Sequence, residues 1–429
     1  GNWGWNSEGE DYTQWTMDLV LRYAHAYRNV TGVDLVGTTN LGHFLPLYVA
    51  QTIYGDKPYM NTFGAGEQTA GLDLFAEGFS TVTEEYKSAV LWAWNYLLGL
   101  EDNKIERASN AVTAAFTLVN YPLEIEQKNP DQVLPHVIRD RQKGGYVFRN
   151  QWKDENDIVT QVYLKSEPHR AAWWYVGDGA FRIYGLGHPW VVKGAMDKYQ
   201  ASERTFENVV LLPDNINGWL GAQTTYFQEQ ENGSGIVSMN LNDTYLAHKQ
   251  ENGKKLPLAD LYGRVLRQNT VDLGIRGMRS FAADYSGASG TPGLFVVVDK
   301  LTGGGQKVWQ MIIPKEHQLS IAGRTFAIAA SDGTTLKGTF VAPANVTLSP
   351  VEKKQFEHRN LRGELMSNAI ALNGIQATGG DNFFVVMTLQ TDSAPDVQSS
   401  GTGLDAKVKV GSQTISFTGD RIVLTKFPG

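Results

Sequence analysis

A tyrosine stands among acidic and aromatic residues near the start of the chain, where its hydroxyl could move a proton. Tyr12 follows Glu8, Glu10 and Asp11, and it lies in a segment whose apolar residues recur every three or four positions up to Tyr27. A tyrosine hydroxyl can act as a general acid or base when its environment lowers its pKa. The carboxylates are better suited to capping the helix and complementing its dipole. From these residues alone, an aromatic position in a helix core is the simpler interpretation of Tyr12, and a catalytic role is the competing one.

Side chains further along the sequence supply candidates for substrate binding. Asn40 and His43 lie at a predicted helix start and could reach a carboxylate, although Asn40 also suits an N-terminal cap. Arg149 and Arg170 could each make paired hydrogen bonds to a carboxylate, and ion pairing within the protein is the competing interpretation. A strand would point Trp174 and the tryptophan before it to opposite faces, so that one could be core and the other a platform for a sugar ring.

Composition bounds the class of protein and its partners. The 429 residues are 42% hydrophobic and 19% charged, which predicts a packed protein of two or three domains. The net charge of −7 argues against nucleic acid as a partner, and no apolar run has the length of about 18 to 20 residues that a membrane span needs. Cysteine is absent, and the eight histidines show no metal-type spacing. We expect no metal site, no cofactor and no membrane partner.

The hydrophobic pattern changes once along the chain, which predicts an α+β multidomain protein. Helical periodicity predicts an N-terminal helical domain over residues 1–125, with helices at 11–27, 43–54, 68–79, 83–98 and 104–119. A connector over 126–145 follows. Alternation then predicts an antiparallel β-sandwich over 146–392 and a C-terminal β segment over 393–429, whose Ser/Gly-rich start at 393–404 reads as a mobile loop or linker.

Five motifs, in this order, resemble the heparinase II/III-like polysaccharide lyases. They are TGVDL at 31–35, FGAG at 63–66, YVFRNQW at 146–152, GDGAFRIYG at 177–185 and VVDKL at 297–301. The acidic turn before Tyr12 is similar to the part of that family that carries its tyrosine acid, and the similarity covers roughly residues 1–315. The resemblance implies an α/α toroid followed by a β-sandwich. Since the tyrosine lies so early here, we expect the toroid to be incomplete, with its upstream helices missing.

The resemblance also implies a reaction, β-elimination beside a uronic acid. A base removes the proton at C5, an acid protonates the leaving oxygen at C4, and the neighbouring carboxylate must be neutralised. Tyr12 matches the family's acid. The family's usual base is a histidine, but Tyr175 occupies its place, so that His169, Tyr175 or Tyr12 itself is left as the base. The same difference removes a ligand of the structural zinc that some members hold.

Three interpretations of function stay open. The first is a lyase that cleaves a uronic-acid-containing polysaccharide, and the second is a non-catalytic carbohydrate-binding or structural protein on a lyase-like scaffold. The third is a toroid-type glycoside hydrolase, which needs two carboxylates across a cleft, with Glu8, Glu10, Asp11 and Glu67 available. The expected partners are an acidic polysaccharide and either an N-terminal fragment, a second chain or a symmetric copy that completes the toroid. The expected location is secreted or extracytoplasmic.

Overall fold

The structure is a computed structural model. It describes residues 10–36, 39–52, 72–98, 111–140, 144–152, 154, 156–164, 177–193, 204–214, 221–258, 260, 266–354 and 371–427. Within these ranges lie the helices α1 (Glu10–Thr31), α2 (Phe44–Thr52), α3 (Leu72–Gly78), α4 (Glu84–Leu98) and α5 (Ala111–Asn120). Of these described helices, none combines the length and apolar character that crossing a membrane requires.

The described strands are numbered in chain order, and every pairing between them is antiparallel. The first sheet has the order β1 (Val137–Asp140), β2 (Gly145–Arg149), β3 (Val159–Tyr163), β4 (Phe181–Gly185), β5 (His188–Val191). A four-stranded sheet has the order β19 (Thr347–Lys354), β20 (Ala371–Thr378), β15 (Val308–Pro314), β6 (Val210–Leu211). An eight-stranded sheet has the order β16 (Gln318–Ala322), β17 (Thr325–Ala329), β18 (Thr335–Ala342), β21 (Phe383–Gln390), β14 (Gly293–Thr302), β13 (Arg276–Asp284), β8 (Gly235–Asn240), β7 (Gln223–Glu229).

Three smaller units complete the described strands. A C-terminal sheet has the order β22 (Val397–Ser400), β23 (Lys407–Val410), β24 (Gln413–Thr418), β25 (Arg421–Leu424). Two short ribbons pair β9 (Ala247–His248) with β12 (Thr270–Val271), and β10 (Gln250–Glu251) with β11 (Lys254–Lys255).

Helix α1 packs on α3, but some of the apolar residues whose spacing predicts this helix are not buried. Leu21 and Ala24 are buried, whereas Leu19 and Tyr23 are 67% and 60% exposed. Helix α1 is thus apolar on more than one face, and periodicity alone does not choose the face that is buried. The predicted toroid is not confirmed by the five described helices and stays a prediction.

The first sheet lies between the helices and the rest of the sandwich, and alternate residues serve the two sides. Val147 and Val159 join the apolar core shared with the helices, while Phe148 and Val162 join the core shared with the eight-stranded sheet. All five residues of β2, of β3 and of β4 are buried. Both faces of these strands therefore lie inside the protein, and their polar residues Arg149, Gln161 and Arg182 are buried together with the apolar ones.

The sandwich continues from the first sheet into the four-stranded sheet. The amide of Val192, just after β5, donates to the carbonyl of Ile312 on β15 at 3.1 Å. The two sheets together face the eight-stranded sheet across a core that includes Trp309, whose ring meets Phe340 edge-on at 5.1 Å. The chain is therefore a β-rich multidomain protein with a helical layer on one side of a sandwich.

The C-terminal sheet packs on the outer face of the eight-stranded sheet. Ile415 and Ile422 share an apolar core with Val296 and Val298 of β14. The predicted loop over 393–404 contains strand β22, and β1 begins inside the predicted connector. Strand β22 pairs with β23, which satisfies its backbone groups although its Ser-rich sequence carries little strand pattern.

Candidate active site

The last turn of helix α2 is fixed to the first sheet by two side chains that sequence reasoning assigned differently or missed. A guanidinium nitrogen of Arg149 on β2 donates to the carbonyl of Ala50 at 3.4 Å, and Gln161 on β3 donates to the carbonyl of Gln51 at 2.8 Å. The last four carbonyls of a helix have no partner within it. The two side chains supply donors to carbonyls of this turn, and they define a seam between the helical layer and the sandwich.

Arg149 lies inside this seam and not on an open surface. Its side chain is among the largest that are fully buried, with 1% exposure, and its guanidinium carbon lies 3.7 Å from the ring centroid of Trp152. Trp152 is in turn held by its backbone amide, which donates to the carboxylate of Asp131 at 2.7 Å. A glycan carboxylate could meet Arg149 only after displacing these neighbours. The structure therefore gives Arg149 a docking role, where the sequence predicted contact with substrate.

Helices α1 and α2 both contact the end of α3. Leu21 of α1 and Leu45 of α2 both lie against Gly78, within 2.9 Å of the position its Cβ would take. Beyond Gly78, the turn that follows α3 contacts His25 of α1 through a serine hydroxyl at 3.1 Å, and it contacts the carbonyl of Gly42 before α2 through an amide at 3.3 Å. These contacts join α1, α2 and α3 in one layer.

The first turn of α1 carries Tyr12. Tyr12 precedes Leu21 by nine residues, which is about 14 Å of helix, and Gln51 follows Leu45 by six, which is about 9 Å. The backbone of Tyr12 is therefore well separated along α1 from the contact that Leu21 makes at Gly78. The side chain of Tyr12 lies outside the described part of the chain, and its catalytic role stays a prediction.

Asn40 and His43 lie at the other end of α2. Asn40 is exposed and occupies the N-cap position of a short 3₁₀ turn at Leu41–His43, but its side chain makes no capping hydrogen bond. The half-buried ring of His43 meets Tyr86 edge-on, with centroids 5.8 Å apart. The structure does not bring Asn40 or His43 together with Arg149, because the length of α2 separates them.

The four remaining candidates, His169, Arg170, Trp174 and Tyr175, lie in the segment 165–176, outside the described residues. The chain on either side of that segment is closely joined. The amide of Tyr163 donates to the carbonyl of Ala180 at 2.9 Å, and the amide of Gly179 donates back to the carbonyl of Tyr163 at 2.8 Å. The described residues on the two sides of the segment, at the end of β3 and before β4, are therefore hydrogen-bonded neighbours.

A buried carboxyl group in the helical layer was not anticipated from the sequence. Glu77 lines a groove of about 400 Å³ between α1, α3 and α5, and its side chain is only 2% exposed. It accepts a hydrogen bond from Arg22 at 2.8 Å. Burial raises the pKa of Glu77 to about 7, with Arg22 opposing the rise and Asp18 adding to it. Glu77 can therefore exchange a proton near neutral pH, which its place in the sequence does not reveal.

No protein-family model and no curated protein sequence matches the chain. Solved structures do match it. A mutant of heparan sulfate lyase HepC from Pedobacter heparinus is similar with a TM-score of 0.62 at 11% identity, covering 99% of this chain and 59% of that one. Heparinase III gives 0.56 at 11% identity over 95% and 58%, and a second heparinase III, with methylated lysines, gives 0.53 at 12% identity over 90% and 52%.

The chain has the fold of the heparinase-like polysaccharide lyases. At this identity the likeness shows the fold alone, and the chain spans between half and three fifths of the length of these structures. Within the heparinase-like fold, two of the recognised motifs have structural contacts. Arg182 of GDGAFRIYG pairs with Glu207 at 2.6 Å, and Asp299 of VVDKL pairs with Arg279 at 2.6 Å, all four side chains being 1% exposed.

Arg279 joins the motifs to one another. Besides its two hydrogen bonds to Asp299, it donates to the carbonyls of Gly179 at 2.7 Å and Asn208 at 2.6 Å. It thereby holds the turn at Gly179 that precedes β4. Among the described residues no three His, Asp or Glu side chains cluster as metal ligands would.

Proposed function

We propose that this protein is a polysaccharide lyase that cleaves a uronic-acid-containing polysaccharide by β-elimination. The strongest support is the likeness of the residues around Tyr12, at the start of helix α1, to the part of the heparinase II/III-like lyases that carries their tyrosine acid. The heparinase-like fold adds to this, since two of its solved neighbours are named heparan sulfate lyase and heparinase III. Heparan sulfate, or an unsulfated polymer of similar backbone, is the substrate we would test first.

The chemistry assigns one role to each candidate. A base removes the proton at C5 of the uronate, the C4–O bond breaks as a C4–C5 double bond forms, and an acid protonates the departing oxygen. Tyr12 is the proposed acid. The base is His169, Tyr175 or, in an elimination on one face of the ring, Tyr12 itself. Arg170 and Trp174 are proposed to hold the carboxylate and the sugar ring, in place of the buried Arg149.

The helical layer supports the proposal of an additional covering segment. Leu19 and Tyr23 on α1 are 67% and 60% exposed, and Leu118 and Val119 on α5 are 85% and 79% exposed. Apolar side chains exposed in such number favour contact with further protein. We propose that an N-terminal helical segment, a second chain or a symmetric copy lies there. A substrate of this class is extracellular, so we also propose a secreted or extracytoplasmic location.

One observation favours the non-catalytic alternative. Of the predicted substrate contacts that the structure describes, Arg149 is buried and Asn40 and His43 lie at the far end of α2. A scaffold that binds glycans without cleaving them would have no need of a carboxylate-neutralising group at the seam. The two proposals therefore differ in whether product forms, and binding alone does not separate them.

Ultraviolet absorbance of unsaturated uronate product distinguishes these functions. We expect product from a panel of acidic glycans, and a loss of about a hundredfold or more with Tyr12→Phe, because one proton-transferring group is removed. Tyr23→Phe is the matched control, since it makes the same change on an exposed part of the same helix. New reducing ends without absorbance would instead show hydrolysis.

Two outcomes would count against the lyase assignment or its acid. Equal activity in Tyr12→Phe and Tyr23→Phe would refute the role of Tyr12. Binding of acidic glycans without any product would support the scaffold. Since an additional helical segment is also proposed, the absence of product is decisive only when it persists after the upstream helices of a related lyase have been supplied in trans.

A further inference from the structure

The outer face of the eight-stranded sheet is only partly covered by the C-terminal sheet. Cross-strand register places Ile236, Ala282 and Val296 in one row, and these residues are buried in the core that the two sheets share. Two rows further along, the register aligns residues 240, 278 and 300. There the turn between β24 and β25 overhangs the sheet, and a groove of about 500 Å³ opens.

Two asparagines present fixed hydrogen-bond donors to this groove. The side-chain oxygen of Asn240 accepts the backbone amide of Asn242 at 2.8 Å, and the side-chain oxygen of Asn242 accepts the backbone amide of Gly277 at 2.9 Å. A backbone N–H can only donate, so these contacts identify which amide atom is oxygen. Both residues line the groove, and the NH₂ groups of both are left as donors for a ligand.

Three cationic side chains line the same groove, against one carboxylate. Arg276 is held by Asp272 through bonds of 2.8 and 2.7 Å, and Lys300 pairs with Asp420 at 2.7 Å. Arg421 stacks on Tyr226 of β7, with its guanidinium carbon 4.4 Å from the ring centroid, and no described carboxylate pairs with Arg421. The lining has an excess of positive charge although the whole chain carries −7.

We propose that this groove binds an anionic sugar unit of an acidic polysaccharide. The stacked pair of Tyr226 and Arg421 offers a flat surface for a sugar ring. The asparagine amides suit its hydroxyl groups, and Arg421 with Lys300 suits its carboxylate or sulfate. The volume falls in the range of about 300 to 1,000 Å³ that small-molecule sites occupy.

The site is separate from the seam, because the first sheet and the eight-stranded sheet lie between the two. Stacked sheets pack about 10 Å apart, so a bound chain meets this groove on the opposite side of the sandwich from the helices. The groove would hold a polymer independently of its cleavage. The proposal therefore does not depend on the lyase reaction.

Methyl NMR of methionine gives a local test, since Met278 lines the groove and Met17 lies in α1. We expect a heparan sulfate hexasaccharide to shift the Met278 methyl resonance, assigned with Met278→Leu. Arg421→Gln should weaken the affinity read from Met278 about tenfold. The matched control is Arg324→Gln, because Arg324 is an exposed arginine on the turn at the far edge of the same sheet. This variant should leave the affinity unchanged.

Removing the carboxylate should have the opposite effect. Asp420→Asn is expected to tighten binding severalfold, because it removes the negative charge from the lining. Asparagine suits the positive φ of 63° at this position. A Met278 methyl resonance that does not shift when the hexasaccharide is added would overturn the proposal. Equal affinities of Arg421→Gln and Arg324→Gln would also overturn it. So would equal shifts with a neutral glucan hexasaccharide or with inorganic sulfate alone, since either would show that no acidic sugar is recognised.

Discussion

Two arginines on strand β13 allow a direct test of what burial adds to an ion pair. Arg279 and Arg276 each make two hydrogen bonds to one carboxylate, of Asp299 and Asp272 respectively. The first pair is 1% exposed on both sides, whereas the side chains of the second are 48% and 52% exposed. The perturbation is Arg279→Met, with Arg276→Met as the matched control on the same strand.

The expected cost follows from what Arg279→Met leaves behind. It removes four hydrogen bonds and leaves the carboxylate of Asp299 buried without its cation, together with the carbonyls of Gly179 and Asn208. Removing one partner of a buried pair destabilises by about 3 to 5 kcal/mol. With an unfolding entropy of about 2.1 cal/mol/K per residue, 429 residues give a fall in Tm of about 3 to 6 °C.

Thermal and urea unfolding of the two variants provide the assay. We expect Arg276→Met to unfold at the same temperature and urea concentration as the unvaried protein, because solvent screens the exposed ion pair that it removes. Replacing both partners, in Arg279→Met with Asp299→Leu, should recover much of the loss, since no charge is then left buried alone. Equal effects of Arg279→Met and Arg276→Met would refute the reasoning, as would a double variant that is less stable than Arg279→Met.

Three further variants test other parts of the structure. The carboxyl of Glu77 has a pKa that rises to about 7 on folding, so the folded protein should lose stability as the pH rises from about 4.5 to about 7. Glu77→Gln removes this loss, and its free energy of unfolding relative to the unvaried protein should increase by about 2 to 3 kcal/mol between pH 5 and pH 8. Chemical unfolding measures this difference, and a difference that does not depend on pH would contradict the prediction. Gly233 and Gly253 both have positive φ, but only at Gly233 would a Cβ lie 1.6 Å from a carbonyl oxygen of the first sheet. Gly233→Ala should therefore destabilise the protein by at least about 3 kcal/mol more than Gly253→Ala. Equal unfolding midpoints of the two variants would exclude that clash. Gln161→Leu removes the donor to the carbonyl of Gln51, so amide hydrogen exchange in the last turn of α2 should quicken, and unchanged protection would show that this contact does not hold the seam.

The local sequence predicted the positions of the helices and strands more accurately than the faces that they bury. The helices α2 and α4 begin within a residue of the positions that periodicity predicts. For α1 the same periodicity includes Leu19 and Tyr23, which the structure leaves exposed. A periodic pattern reports the conformation of one segment, whereas the buried face depends on what packs beside it. The Ser-rich strand β22 escaped prediction for a related reason, since only its pairing with β23 makes it a strand.

Residue types near Tyr12 and the ordered motifs were enough to predict a heparinase-like fold, and the solved structures confirm that fold. The sequence by itself determined the change from helices to strands and the chemistry available to each side chain. Only the tertiary structure decided that Arg149 docks α2 onto the sheet, that Arg279 pairs with Asp299, and that three cations share one groove. These facts depend on residues distant in the chain, and the packing of whole layers sets the distances between them.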